Sequence, residues 1–313
     1  MDVPAGTAGS VARALVQAEA EGPVGHGFSR LADYAAQVQS GKIVADAKVS
    51  VTKRAPAALH VDAGLGFAYP ALEAALEAGI PLGREMGIAV MSIGNSHHCG
   101  TLSAHVERLA EAGLIGLMVA NTPKAIAPWG GAEAMFGTNP IAFATPVADA
   151  PPLVIDLSLS KVARGKVMAA SKAGQPIPEG WALDHMGQPT TSAEAALKGT
   201  MLPIGDAKGT ALALMVEILA AALSGSAFST EAGSFCHAEG PAPRVGQTLI
   251  AISPKGQNDY GTRVKMLLQE IANMEGARLP GARRQATRAR AEADGLHVPA
   301  AFIHQARQLA GQI

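Results

Sequence analysis

Residues 88–120 read IAVMSIGNSHHCGTLSAHVERLAEAGLIGLMVA, and the fold class turns on this run. IAVMSI predicts a strand, NSHHCG a loop, LSAHVERLAEAG a helix closing at Gly113, and IGLMVA a second strand. Leu102, Val106 and Leu109 recur at i, i+4 and i+7, so one stripe of that helix faces a core. A strand, loop, helix and strand in this order belong to an α/β sheet. The loop brings His97, His98, Cys99 and Gly100 to a helix N-terminus, where free N–H groups and the helix dipole favour an anion.

Upstream, VARALVQAEA (11–20) and LADYAAQVQSG, ending at Gly41, predict helices that flank the loop GHGFSR. The run ALHVDAGLGFAYPALEAALEAG predicts strand, glycine turn and helix. Gly64 and Gly66 match the first two glycines of a dinucleotide fingerprint, but Tyr69 occupies the third position. No acidic residue ends a second strand about 20 residues on, so the run reads as an ordinary turn.

Downstream, PWGG, FGTNP, PLVIDLSLS, IPEGW and LPIGDAKG read as strands broken by Gly/Pro turns. An apolar helix from Thr210 to Ser224 follows, then a strand in GQTLIAISP. A last helix, Tyr260 to Met274, carries Val264, Leu267, Leu268, Ile271 and Met274 on one face.

The 313 residues suggest two domains at about 100–200 residues each. We expect residues 1–85 with 256–313 to form one domain and residues 86–255 the other. Hydrophobic residues make up 48% and charged residues 16%, which supplies a core and argues against disorder. The net charge of −1 gives no field for nucleic acid or an anionic membrane. The basic stretch Arg278 to Arg290 interleaves no aromatics, so it reads as a solvated face or a small anion site. Cys99 and Cys236 are too few for a disulfide framework, and a reducing cytoplasm is the simplest compartment. The first residues lack a basic segment followed by an apolar one, so no signal peptide is expected. Ala211 to Leu223 carries Glu217 and falls short of the about 20 residues a bilayer needs.

His26, flanked by Gly25 and Gly27, has little side-chain cover, and its ring can face a ligand with an ordinary pKa of about 6.5. Arg30, four residues on, offers a planar fork for a carboxylate. The bland reading is a loop histidine and a surface arginine. Adjacent His97 and His98 make a poor metal site, so no metal is expected. Cys99 as a nucleophile, an anion loop and a structural helix start remain open. Lys208, in GDAKG before the apolar helix, suits a phosphate contact without being a P-loop lysine. Asp156 ends a strand, where it either accepts from a ribose or caps a turn.

Together the segments GHGFSRL, NSHHCG, APWGG, FGTNPIAF, VIDLSLSKVARGK, IPEGWALD, LPIGDAKG and RLPGARR resemble the type-2 malate/L-lactate dehydrogenase family. They occur in order over nearly the whole chain. GQTLIAI and RLPGARR look closest to the branch reducing Δ1-piperideine-2-carboxylate and Δ1-pyrroline-2-carboxylate. The resemblance implies a mixed α/β fold with a non-Rossmann nicotinamide-binding domain on a mixed, largely antiparallel sheet. A helical domain from the two chain ends and a homodimer are implied with it.

By the same resemblance His26 is the proton donor, acting in its charged form, Arg30 the carboxylate clamp and Thr138 a substrate contact. His98, Cys99, Gly100, Thr101, Leu102, Asp156, Leu157, Ser158, Lys208, Gly281, Arg283 and Arg284 would hold the cofactor, with its phosphates at the helix start after His98. Arg283 and Arg284 suit a 2′-phosphate, so NADPH is expected, with NADH possible. The implied activity is reduction of a cyclic 2-imino acid to L-pipecolate or L-proline. Oxidation of malate, lactate or sulfolactate is the alternative within the enzyme class, and a non-catalytic ligand-binding homologue the alternative outside it. Three features depart from the family pattern. Gly25 replaces the serine before the histidine, Lys166 replaces an aspartate of the imine branch, and the chain begins after the family's first helical segment.

Overall fold

The computed structural model describes residues 3–312. Helices α1 (Ala5–Glu21) and α2 (Leu31–Gln39) come first, joined through two 3-10 turns at Val24–His26 and Phe28–Arg30. Strands β1 (Ser50–Ala55) and β2 (Ala58–Asp62), helix α3 (Ala68–Met86), β3 (Ile88–Ser96), α4 (Ser103–Glu111) and β4 (Ile115–Ala120) follow. The middle holds β5 (Ile141–Val147), β6 (Ala150–Leu157), α5 (Arg164–Lys172), β7 (Ala182–Leu183), β8 (Pro189–Thr190), α6 (Ala193–Lys198) and β9 (Thr200–Met201). Helix α7 (Ala207–Glu217), β10 (Val245–Ile252), α8 (Tyr260–Ala272), α9 (Ala282–Asp294) and α10 (Ala300–Leu309) complete the chain.

Seven strands form one sheet in the order β1-β2-β3-β10-β4-β5-β6. Only the β2–β3 pairing is parallel; the other five are antiparallel. The sheet is therefore mixed and largely antiparallel, as the family resemblance implies. The quoted run forms β3, α4 and β4, yet these strands do not touch. β10 lies between them, antiparallel to both, and contributes fully buried Val245, Leu249 and Ala251. A strand that arrives so much later in the chain leaves no local signal.

Helices α3 and α4 cover one face. Leu72, Leu76, Met91, Ile93, Leu109, Met118 and Leu249 are fully buried there, and the predicted stripe of Leu102, Val106 and Leu109 joins them. Each such side chain contributes roughly 1.5–3 kcal/mol. Val119, next to Met118 and so on the opposite face, packs with Ile126, Leu159, Val167 and Val216. A third cluster joins Val11, Leu15, Tyr34, Ile43, Phe67 and Tyr69. It holds the chain start against the sheet.

The glycine turn after β2 is closed internally. Asp62 Oδ1 accepts from the Gly64 N–H (2.8 Å) and from Asn95 Nδ2 (3.1 Å), which ties the turn to the end of β3. The apolar helix ends its α-helical part at Glu217 and runs on as one π turn, Ile218–Ala222. On α8 the predicted apolar face is covered only in part: Val264, Leu268 and Ile271 are half-buried, whereas Leu267 is 57% exposed. Among the described residues, no helix is long and apolar enough to cross a membrane.

Candidate active site

The GHGFSR loop is pinned to α1. Gly27 lies so close to Glu19 that a Cβ would sit 2.3 Å from Oε1. The same oxygen accepts the Phe28 N–H at 2.7 Å. Arg30 folds back over the loop, donating from Nε to the Gly25 carbonyl at 2.8 Å. Clamp and histidine are thus fixed to one short segment. The outer end of the guanidinium meets Asp33 Oδ2 at 3.5 Å and Cys236 Sγ at 3.4 Å.

His26 Nδ1 lies 3.0 Å from His98 Nε2, with the two ring planes nearly parallel and their centroids 5.0 Å apart. His98 Nδ1 is 2.7 Å from the Tyr34 hydroxyl, which in turn is 3.0 Å from the Tyr69 hydroxyl. A row of four side chains runs from the loop into the third core cluster. Burial, then the charge of Arg30, lowers the His26 pKa to about 4. Burial and the same arginine hold His98 well below the ordinary value. Burial raises the Cys99 thiol to about 12, which removes the thiolate that a nucleophile needs. No atom lies within 4 Å of where a Cβ on residue 25 would stand. The group that orients His26 is His98.

Segment 234–240 lies over this cluster. Phe235 packs against His97 and His98 at centroid distances of 5.4 and 5.2 Å. Gln37 donates to the Phe235 carbonyl (2.9 Å) and Lys42 to those of His237 (2.8 Å) and Glu239 (3.0 Å). His97 Nε2 in turn meets Gln37 Oε1 at 2.9 Å.

A second group of residues gathers at the far end of the 98–102 loop. Asp156 Oδ2 accepts the Ser103 N–H at 2.8 Å, so it caps α4. Its residue surface is exposed, while surrounding protein raises its pKa and these N–H bonds partly offset the rise. Next to it, the Thr138 carbonyl accepts the Leu159 N–H at 2.8 Å and the Ser158 hydroxyl at 3.5 Å. Gly281 crosses β6 so closely that a Cβ would lie 2.6 Å from the Val154 carbonyl. Lys208 is exposed in the first turn of α7, whose approach is fixed by the Ile204 N–H donating to the Leu159 carbonyl at 2.8 Å. The GTNP turn is held from below by buried Glu217. That carboxylate accepts from Asn139 Nδ2 (2.8 Å), Asn121 Nδ2 (3.3 Å) and the Ser229 hydroxyl (2.7 Å).

A family model described as malate/L-lactate dehydrogenase matches residues 1–306. The chain belongs to the malate/L-lactate dehydrogenase family. It is 52% identical over 309 residues to a Chromohalobacter salexigens protein named (2R)-3-sulfolactate dehydrogenase (NADP(+)), covering 98% of this chain and 92% of the relative. It is 40% identical over 313 residues to a Δ1-pyrroline-2-carboxylate/Δ1-piperideine-2-carboxylate reductase of Pseudomonas putida, covering 98% and 92%. The solved Δ1-piperideine-2-carboxylate reductase of Pseudomonas syringae superposes with a TM-score of 0.92 at 36% identity, over 97% of this chain and 92% of that one.

Within this family frame the expected residues fall into two places. His26, Arg30 and His98 meet at the first; Thr138, Asp156, Leu157, Ser158 and Gly281 surround the second, with Lys208 flanking it. The loop of Cys99, Gly100, Thr101 and Leu102 connects them. At the start of α4, where the resemblance puts the phosphates, the Asp156 carboxylate accepts the Ser103 N–H and brings a negative charge. Arg284, expected at a 2′-phosphate, points into the protein. Its guanidinium grips Glu107 through two bonds (3.0 and 2.7 Å) and Glu21 at 2.9 Å. Arg283 stays exposed. Sequence reading missed Tyr34, Tyr69, Phe235 and Cys236, which come from distant segments with no shared motif.

Proposed function

We propose that the protein is an NADPH-dependent dehydrogenase interconverting a 2-oxo acid and a 2-hydroxy acid, with sulfolactate as the model substrate. The observation that carries the reading is a histidine held neutral beside a carboxylate-binding arginine. A 2-oxo acid needs a donor at its C2 oxygen, whereas a protonated cyclic imine brings its own proton. The 52% identity with the sulfolactate dehydrogenase, against 40% with the imine reductase, favours the same choice. So does Lys166, since the imine branch resembled in sequence has an aspartate there. Reduction of cyclic 2-imino acids is the second reading, supported by the likeness to the piperideine carboxylate reductase.

NADPH, when bound, supplies hydride to C2. Arg30 holds the substrate carboxylate with its outer guanidinium edge, and His26 hydrogen-bonds the C2 oxygen, so the carbonyl is polarised in a fixed pose. At neutral pH it does so uncharged, not as the imidazolium expected from its ordinary pKa. The second group fits a nucleotide: exposed Lys208 and Arg283 offer cations to phosphates, and solvent-facing Asp156 offers an acceptor to ribose hydroxyls. Thr138, in the second group, is the expected substrate contact.

The division into 1–85 with 256–313 for substrate and dimerisation, and 86–255 for the nucleotide, is part of this reading; the Glu21–Arg284 pair linking α1 to α9 supports it. A homodimer is supported by exposed Leu214 and Ile218 near the end of α7 and by exposed Met266 and Leu267 on α8. Two free cysteines suit a cytoplasmic enzyme.

The test is NADPH and NADH oxidation against sulfopyruvate, oxaloacetate, pyruvate and the two cyclic imines. We expect a keto acid with a second acidic group to be preferred, with NADPH. Preference for the cyclic imines would replace this reading with the second one.

A further inference from the structure

The row His26–His98–Tyr34–Tyr69 has only one hydrogen arrangement that leaves no buried donor unused. Both tyrosines are 2% exposed and His98 is 7% exposed. Among the described residues, the Tyr69 hydroxyl has Tyr34 as its sole hydrogen-bonding partner. A buried hydroxyl whose hydrogen finds no acceptor costs about 1–3 kcal/mol, whereas an empty oxygen lone pair costs far less. Tyr69 must therefore donate to Tyr34. The Tyr34 hydrogen is then directed at His98 Nδ1, and their 2.7 Å separation suits an O–H donor. His98, a neutral imidazole with one hydrogen, must carry it on Nε2 and give it to His26 Nδ1. His26 is left with its own hydrogen on Nε2.

We propose that Tyr34 and Tyr69 are positioning residues that, through His98, lock His26 in the Nε2–H tautomer and make its free edge a hydrogen-bond donor. This deepens the proposed function and rests on it for the role of that donor, though not for the tautomer itself. It explains how the site works without the serine that the family carries before the histidine. A neutral His26 whose hydrogen sat on Nδ1 would present a lone pair to a ketone oxygen and repel it. In the locked form the C2 oxygen takes the Nε2 hydrogen as hydride adds to C2. His98, Tyr34 and Tyr69 keep their own hydrogens throughout, and one proton from solvent refills His26 Nε2, so each turnover consumes one proton and one hydride.

The experiment is 15N NMR of histidine-labelled enzyme without substrate, with His26 and His98 assigned through His26→Gln and His98→Gln. Both rings are expected as Nε2–H tautomers. A His26 signal with its hydrogen on Nδ1 in the parent overturns the inference. The double variant Tyr34→Phe/Tyr69→Phe removes both hydroxyls without stranding either. It should release the His26 tautomer and lower kcat for the 2-oxo acid by about 10- to 100-fold, with NADPH affinity unchanged within twofold. An unaltered tautomer and kcat in a folded double variant also overturns it. If the parent shows the expected tautomer while His26→Gln keeps full turnover, the proposed function fails and the tautomer assignment stands.

Discussion

At His26 the ordinary pKa of a loop histidine does not survive folding. The ring is enclosed by protein, faces the Arg30 charge and leans on His98, so the charged form is disfavoured and the pKa falls to about 4. A titrating imidazolium acid would make kcat/KM for reduction fall as pH rises through about 6.5. The neutral donor predicts no such inflection between about pH 5.5 and 8, and a pH profile with saturating NADPH checks it. His26→Ala should lower kcat by about 10²–10⁴-fold while a fluorescence titration shows NADPH binding intact. Arg30→Met should raise KM for the 2-oxo acid with a smaller change in kcat; equal affinity of parent and variant for the acid would remove the clamp.

Helix α9 illustrates how one RLPGARR segment divides its labour. Arg284 faces inward to Glu107 and to Glu21, whose side chain has no exposed surface, whereas Arg283 one residue earlier faces solvent. Arg284→Met leaves buried Glu21 with only Gln17 (2.9 Å) and a distant Arg288 (3.7 Å), and Glu107 with Arg288 (3.2 Å), and should destabilise the fold by about 1.5–3 kcal/mol, read from urea unfolding. Arg283→Ala removes an exposed cation and should leave stability intact. Loss of a charge-assisted bond to a 2′-phosphate, about 1.5–3 kcal/mol, should raise KM for NADPH about tenfold or more and leave that for NADH unchanged. Similar KM changes with both cofactors would move the 2′-phosphate away from α9. At α4 the Asp156 carboxylate takes one N–H of the helix start and so ties α4 to β6.

Across the molecule, four histidines (His26, His97, His98 and His105) are kept neutral chiefly by burial. The unfolded chain binds protons at all four below about pH 6.5. The folded chain accepts them only near 3 at His97 and near 4 at His26 and His105. The stability contributed is complete above about pH 6.5 and is lost as pH falls, by about 1.4 kcal/mol per pH unit for each histidine. The melting temperature should therefore drop between pH 7 and 5, and His97→Gln should flatten that slope; a constant melting temperature over this range would contradict the burial. The exposed apolar side chains of α7 and α8 predict that light scattering finds a dimer.

Chain order and local pattern were enough to place α1, α2, α3, α4, α7 and α8, the strands β2, β3, β4, β6 and β10, and the absence of a dinucleotide turn at Gly64 and Gly66. Those features depend on periodicity or on residues within one turn of each other. Helices α5, α6 and α10 escaped these patterns, and PWGG, FGTNP, IPEGW and LPIGDAKG, read as strands, are turns and loops. Tertiary structure alone decided that β10 separates β3 from β4, that Asp156 caps α4 and that Arg284 serves a buried carboxylate. It also decided that His98 and two tyrosines stand behind His26 in place of a serine. Each of these is a contact across some 50 or more residues, set by which side chains the packed sheet brings within hydrogen-bond reach, and no spacing rule in the chain encodes it.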